Sequence, residues 1–468
     1  MSRFPHGAVV RLDVKARVAD GGRTLLGGNP FRVMFLRPAA ADLLRDGTLQ
    51  VTDDASDALA ARLVDAGLAH PVAAALPPVD PALATYVVPV HDRAAMLARL
   101  LTSIGPDARV VVVDDASRDP VTVARVAAAH GARLVVLERN VGPASARNAG
   151  LRVVTTPYVV FVDSDVVVNP AAVTLLLRHF ADHRVAAVAP QVRGLPQPGR
   201  PTWVRRYEDA ASSLDLGARP ATVRPRSPVS WVSSSCLAAR VSALGAGFGD
   251  GLYVGEDVDL VWRLVEEGWT VRYEPAAAVH HEHRARLGVW AARKAFYGTG
   301  ADQLAQRHPG DVAPAVLVPW SAGLLVALLA QRRWSLPVAA ALTAVAGARI
   351  ATRLDRSEER LRLGATLALG GAVNAAFQGS ALLLRHWWPA AAVAGLVSRR
   401  VRRAILVCAV AEAALSYPEH ARAQGHLDPV RFLLLRRLDD LAYGAGVWWS
   451  VLRGRSWRAL APRLRWRG

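Results

Sequence analysis

The chain has 468 residues, 52% of them hydrophobic, and a mean hydropathy of +0.19; it is too long for one ordinary domain and apolar enough to expect a membrane-contacting part. Its net charge of +18 is carried almost wholly by arginine, since Lys15 and Lys294 are the only lysines, and it favours anionic partners such as nucleotide phosphates or an anionic leaflet. Two cysteines, Cys236 and Cys408, exclude a disulfide framework or a zinc-finger spacing and predict a reducing compartment, and the opening Met-Ser-Arg-Phe-Pro-His-Gly lacks the apolar core of a secretory signal.

Residues 8–70 read as a small α+β module. Strands are expected over 9–18 and 24–26, joined by a Gly21-Gly22 turn, with a third over 32–36. Apolar residues at helical spacing predict helices over 39–44 and 56–66, with Asp53 or Asp54 as an N-cap. The module is either an accessory domain that shields the next one or a peptide-recognition domain, since a sheet edge can accept an added strand. Residues 71–82, rich in Pro and Ala, read as a linker. The expected division is 1–75, 83–302 and 303–468.

From Thr85 a β–α alternation begins, with strands over 86–90, 110–113, 133–137, 158–162 and 185–190 and helices between them. Four consecutive valines at 110–113 suit a central parallel strand buried on both faces. The fold class is α/β, a doubly wound and mostly parallel sheet. Ligands bind such sheets at the carboxyl ends of the strands. The strand Tyr-Val-Val-Phe-Val ends there in Asp163-Ser164-Asp165. In extended backbone the two carboxylates share a side, and a hard divalent ion such as Mg²⁺ or Mn²⁺ would relieve their repulsion. A solvated helix-capping turn would use the same residues. Asp115 can accept from a base N–H, and the loop at 140–150 offers backbone N–H groups and Arg147 to an anion. There is no GxGxxG after the first strand and no GxxxxGK[ST] anywhere, which disfavours dinucleotide dehydrogenases and P-loop NTPases. Glu256-Asp257 either carries acid–base chemistry or forms the acidic first turn of a helix.

The ordered set Val88-Pro89-Val90-His91-Asp92, Val113-Asp114-Asp115-Ala-Ser117, Gly142-x4-Arg147-Asn148-x-Gly150, Val162-Asp163-Ser164-Asp165 and Gly255-Glu256-Asp257 resembles the family 2 glycosyltransferases of the GT-A fold, over about residues 85–300. His91-Asp92 departs from the aromatic and asparagine more usual there. The resemblance implies that Pro89, Asp92, Asp115, Arg147, Asn148 and Asp163 line a nucleotide-sugar site, with Asp115 at the uracil and Asp163 near the ribose. It implies a divalent metal on Asp165, Asp257 as general base with Glu256 assisting, and inversion at the anomeric carbon. A histidine of the stretch His280-His281-Glu282-His283 would join the metal or the diphosphate; His281 is preferred to His280. The stretch 231–236 would line the acceptor pocket.

Beyond residue 303 the chain alternates apolar runs (315–330, 336–348, 363–384, 387–397, 404–415) with arginines, and ends in an Arg- and Trp-rich tail, 448–467. Short membrane spans, interfacial helices on an anionic leaflet and a soluble helical domain all fit. Membrane attachment with the catalytic domain in the cytoplasm is the preferred expectation. A peptide-recognition-like front, a transferase and an apolar rear together resemble the mycofactocin-system glycosyltransferases. That resemblance implies glucose units moved from UDP-glucose, as a β-1,4 chain, onto a redox cofactor derived from a ribosomal peptide, with the precursor peptide as a further partner and a front module like small winged-helix-like domains. A cell-wall or lipid-linked-sugar transferase and a non-catalytic nucleotide-sugar scaffold are the alternatives. Nucleic acid is not an expected partner, because basic and aromatic residues do not interleave on the α/β part.

Overall fold

In the computed structural model, which describes residues 2–44, 46–197, 199–283, 286–422 and 427–466, the chain divides into two compact units, residues 1–198 with 212–283 and residues 199–211 with 284–468. The first unit opens with strands β1 (Val9–Leu12), β2 (Arg17–Ala19), β3 (Thr24–Gly27) and β4 (Arg32–Phe35), helix α1 (Pro38–Asp42), strand β5 (Thr48–Gln50), helix α2 (Asp54–Asp65) and strand β6 (Ala69–Pro71). The strand expected over 9–18 is two strands. Asp13 turns the chain between them, accepting from Lys15 N through its side chain and from Ala16 N through its carbonyl, as Asp does in tight turns. β1 therefore pairs with β5 and β6, while β2 and β4 flank β3 in a second antiparallel sheet. Asp53 caps α2, accepting from Ser56 N at 2.8 Å while Ser56 Oγ accepts from Asp53 N at 2.9 Å, a reciprocal box. Phe4, Leu25, Leu49, Leu63 and Leu68 form the core.

The segment expected as a linker is packed. Ala73 and Leu76 are buried, and the carbonyls of Ala74 and Leu76 accept from Arg178 at 3.0 and 2.7 Å. The buried Arg3 reaches out of the front module, its Nε donating to Asp182 Oδ2 at 2.9 Å and its Nη1 to Asp65 Oδ1 at 2.5 Å. Arg224 Nη2 donates to Asp65 O at 3.0 Å. The front module and the α/β part thus make one unit rather than two.

The α/β part runs β7 (Ala84–Val90), α3 (Ala94–Ile104), β8 (Arg109–Asp114), α4 (Pro120–Ala129), β9 (Arg133–Val136), α5 (Pro143–Leu151), β10 (Tyr158–Val162), β11 (Val166–Val167), α6 (Pro170–Arg178) and β12 (Val185–Gly194). Helix α7 (Trp203–Ala211) belongs to the second unit; β13 (Ala221–Val223), β14 (Cys236–Arg240), α8 (Glu256–Glu266) and β15 (Thr270–His281) complete the first. The sheet order is β11-β15-β12-β14-β10-β7-β8-β9, with β13 on β15. β10, β7, β8 and β9 are parallel, while β14 is antiparallel to both β10 and β12. This is the GT-A class of α/β fold. The valines of β8 are buried on both faces, as a central parallel strand requires. Gly150 lets α5 lie close on the sheet: a Cβ there would stand 2.4 Å from Val87 Cγ1 and 3.0 Å from Val113 Cγ2.

The second unit is helical: α9 (Leu287–Gly298), α10 (Ala301–Arg307), α11 (Pro319–Ala330), α12 (Ser335–Thr352), α13 (Arg360–Ala381, continued by a π turn to His386), α14 (Trp388–Val397), α15 (Arg399–Arg422) and α16 (Pro429–Gly454). The domain boundary expected at 302 lies earlier, because α9 packs on α16. Their glycines allow it: a Cβ on Gly298 would stand 2.2 Å from Tyr443 O, and one on Gly446 1.8 Å from Ala295 O. Lys294 is buried here, paired with Glu208 at 2.9 Å, and Trp290 Nε1 donates to Glu208 at 2.8 Å. Among the described residues two helices, Ser335–Thr352 and Arg360–His386, are long and apolar enough to cross a membrane. The first residues of the tail, 448–454, are the end of α16; Arg467 lies outside the described residues.

Candidate active site

β10 carries its load of buried apolar side chains, Val159 to Val162, and stops because the chain turns: Val166 N donates to Asp163 O at 3.1 Å. Strand periodicity therefore does not put Asp163 and Asp165 on a common side, since neither lies in extended strand. The turn sends the two carboxylates to different partners while keeping them neighbours. β11 then pairs with the end of β15, with Val166 opposite His281 and Val167 opposite His280. That register brings His281 to Asp165. His281 Nε2 lies 3.5 Å from Asp165 Oδ1, and its buried Nδ1 has no hydrogen-bond partner among the described residues. The other Asp165 oxygen accepts from Arg93 Nη1. Burial opposes ionisation of Asp165, but His281 and Arg93 outweigh it and hold the carboxyl well below the usual range.

Arg147 is buried and committed. Its Nη2 donates to Asp163 Oδ1 at 2.5 Å, and its Nη1 to Glu256 Oε1 at 3.0 Å. The guanidinium carbon stands 5.3 Å from the centre of the Phe248 ring. Burial alone would lower its pKa, yet the surrounding carboxylates raise it further. Burial raises the Asp163 carboxyl despite Arg147. Arg147 thus ties the end of β10 to the start of α8, where the sequence assigned it to the nucleotide.

Asn148 is likewise taken up internally: its Nδ2 donates to Phe248 O and its Oδ1 accepts from Phe248 N, both at 2.8 Å. Gly247 makes room, since a Cβ there would stand 2.3 Å from Asn148 Oδ1. Asp115 accepts from Val141 N at 2.8 Å and Gly142 N at 2.9 Å, drawing the loop before α5 against the end of β8. Asp92, at φ +56°, accepts from Arg118 N at 2.7 Å and gives its own N–H to Ser117 Oγ at 3.0 Å. It clips the loop after β7 to the loop after β8. Pro89 sits in β7 in register with Val113. Asn148, Asp115 and Asp92 thus tie together the loops around the carboxyl ends of the strands, and each Asp115 oxygen retains acceptor capacity.

Gly255, in the left-handed region at φ +82°, starts α8, so Glu256 and Asp257 are its first residues. Asp257 accepts from Val258 N at 2.8 Å and Ser234 N at 3.4 Å. Burial and the adjacent Glu256 push its carboxyl up to about 7, against the pull of Arg147, a value suited to a base working near neutral pH. The stretch 231–236 joins the two halves: Ser234 N faces Asp257, and Ser235 O accepts from Asp163 N at 3.0 Å. The sequence reading missed Arg93, although it directly follows Asp92 in the first motif.

The donor set around Asp165 fits a hard divalent cation: two carboxylates, an imidazole and an orphaned ring nitrogen that a carboxylate or water could orient. Asp165 and His281 would hold the ion, with Asp163 beside them.

The family model for glycosyl transferase family 2 matches residues 85–244. The chain is 43% identical over 482 aligned positions to the pre-mycofactocin glycosyltransferase of Mycobacterium tuberculosis, covering 99% of each chain. It belongs to glycosyl transferase family 2, alongside that enzyme. This family 2 member is also 30% identical over 240 positions to the validoxylamine A glucosyltransferase of Streptomyces hygroscopicus subsp. limoneus, spanning 42% of this chain and 52% of that one. Among solved structures it is similar to a mannosyltransferase of Pyrobaculum calidifontis in complex with GDP-Man and Mn²⁺, with 20% identity, a TM-score of 0.38, and coverage of 65% and 89%. The chain is a glycosyltransferase.

Proposed function

We propose that this enzyme transfers glucose from UDP-glucose, with inversion, to a redox cofactor derived from a ribosomal peptide (pre-mycofactocin), extending a β-1,4 chain. The observation that carries the chemistry is Asp257, raised to about 7 and separated from the acidic end of β10 only by Ser234 and Ser235. An acceptor hydroxyl gives its proton to Asp257 as its oxygen bonds to the anomeric carbon. The bond from that carbon to the diphosphate oxygen breaks, and its electron pair leaves with UDP. Attack and departure on opposite faces invert the centre. Asp165 and His281 would hold a divalent ion, which would supply charge neutralisation to the leaving diphosphate. Glu256, held by Arg147, borders the acceptor side. Full-length identity to a pre-mycofactocin glycosyltransferase supports this acceptor, and a glucosyltransferase among the relatives supports the sugar. The front module, residues 1–75, is proposed to receive the peptide-derived partner.

The same reading puts the second unit on a membrane, with the catalytic part on the cytoplasmic side where UDP-sugars are made. Leu336, Leu361, Leu369, Val373, Leu396 and Val397 are exposed. Gln331 Nε2 donates to Arg400 O at 2.7 Å, which brings the exposed Arg332 and Arg333 near Arg399, Arg400 and Arg403. Residues 312–354 and 360–411 contain no Asp or Glu, so an anionic leaflet is the suitable counter-charge. These exposed helices also favour a second reading, a lipid-linked acceptor.

The deciding experiment is UDP release with Mn²⁺ or Mg²⁺ across UDP-sugars, with and without the peptide-derived cofactor. Release with UDP-glucose that rises on adding the cofactor is expected. Stimulation only by lipid-linked or glycan acceptors would move the enzyme to envelope synthesis, and no release with any donor would leave a nucleotide-sugar scaffold.

A further inference from the structure

The polar face of α3 touches the metal-site loop at three points. Arg93 donates to Asp165 Oδ2, Arg99 Nη2 to Glu282 Oε2 at 2.7 Å, and Val168 N to Ser103 Oγ at 3.1 Å. The last two contacts hold β11 and the end of β15 whether or not Arg93 stays, because Glu282 N also donates to Asp165 O at 3.2 Å. Arg93 is the odd member of the three. Its guanidinium sits on one oxygen of the carboxylate whose other oxygen faces His281, and its side chain is 39% exposed. It therefore has open space to move into.

Charge gives that freedom a role. Among the described residues Arg147 is already shared by Asp163 and Glu256, so the cation on Asp165 is Arg93. A guanidinium and a divalent ion cannot both sit on one carboxylate oxygen without strong mutual repulsion. Once displaced, Arg93 is a planar, permanently charged fork at the edge of a site that receives a diphosphate, the anion such a fork matches best.

We propose that Arg93 is a place-holder for the metal: it neutralises Asp165 in the resting enzyme, yields that oxygen to the divalent ion, and then binds the donor's diphosphate. The assignment rests on the metal-dependent transferase reading of the same site. It couples the two loadings, since nucleotide draws Arg93 off Asp165 and so opens the oxygen to the ion.

The test is Mn²⁺ titration of the full-length enzyme, by electron paramagnetic resonance, with and without UDP. Without nucleotide, Arg93→Gln is expected to bind Mn²⁺ about fivefold more tightly than the parent, the size of a partly exposed ion pair removed from competition. At saturating Mn²⁺ the same variant is expected to bind UDP about tenfold more weakly, the loss of one charge-assisted hydrogen bond. Arg93→Lys, which keeps the charge, should return Mn²⁺ affinity toward the parent value; it also controls for folding, with thermal melting of both variants. Unchanged or weaker Mn²⁺ binding by Arg93→Gln overturns the proposal, as does unchanged UDP affinity or a parent that binds no Mn²⁺. Because the titration needs neither sugar nor acceptor, its failure is distinct from a failed UDP-release assay, which would count against the transferase reading itself.

Discussion

Nε2 of His281 stands 3.5 Å from Oδ1 of Asp165, a contact made by pairing a two-residue strand with the last residues of β15. The pairing places His281, the second of two adjacent histidines, opposite Val166 and beside Asp165. His281→Ala and Asp165→Ala should each weaken Mn²⁺ binding at least about tenfold. His280→Ala should leave it within about twofold, because period two turns that side chain to the other face. Isothermal titration with and without chelator separates these outcomes, and equal losses from His280→Ala would contradict the register.

Asp257 should set the pH profile. Only its ionised form accepts a proton, so kcat/KM should rise as pH climbs through about 7 and level off above it. Asp257→Asn should cut turnover by roughly 10² to 10⁴ while UDP binding persists. Stability runs the opposite way. The folded carboxyl titrates above its unfolded value, so the native state binds the extra proton and loses stability as pH rises from about 4 to 7. Asp257→Asn should therefore be the more stable protein above pH 7, measured by urea midpoints across pH.

Arg147→Met should act mainly on folding. It leaves Asp163 and Glu256 without their shared cation, and breaking such a buried pair costs about 3 kcal/mol. Urea unfolding of the variant should show that loss. A neutral effect on stability with a selective loss of UDP affinity would return Arg147 to the nucleotide.

The arginine cluster should read out on vesicles. Flotation with phosphatidylglycerol-containing vesicles is expected, with weaker recovery on pure phosphatidylcholine and at high salt. Changing Arg332, Arg333, Arg399, Arg400 and Arg403 to Gln should each remove up to about 1 kcal/mol of binding. Equal recovery by all variants on both lipids would leave attachment to the apolar faces alone.

Much of the fold is legible in the sequence because its signals are local. The valines of β8, the apolar run of β10 and Asp53 before α2 each announce their structure within a few residues. The site is legible as a set of motifs, but individual partners are not. Whether Arg147 meets a phosphate or two carboxylates depends on where α8 begins relative to β10, and Asn148 finds Phe248 only after the chain has crossed the sheet. The stretch 9–18 passes for one strand because Asp13 turns the chain inside an apolar pattern. Helix α9 passes for part of the transferase because its helical period says nothing about which face of α16 awaits it.

The contact of Arg3 with Asp182 bears on how the front of this protein can be altered. Arg3 is 6% exposed and Asp182 2%, and Arg272 lies behind them with its Nη2 3.9 Å from the same carboxylate. Removing the first residues would take from this buried acid the nearer of the two arginines that meet it. The front module is thus no interchangeable cassette: grafting it onto another enzyme would require carrying Asp182, Arg224 and Arg178 with it.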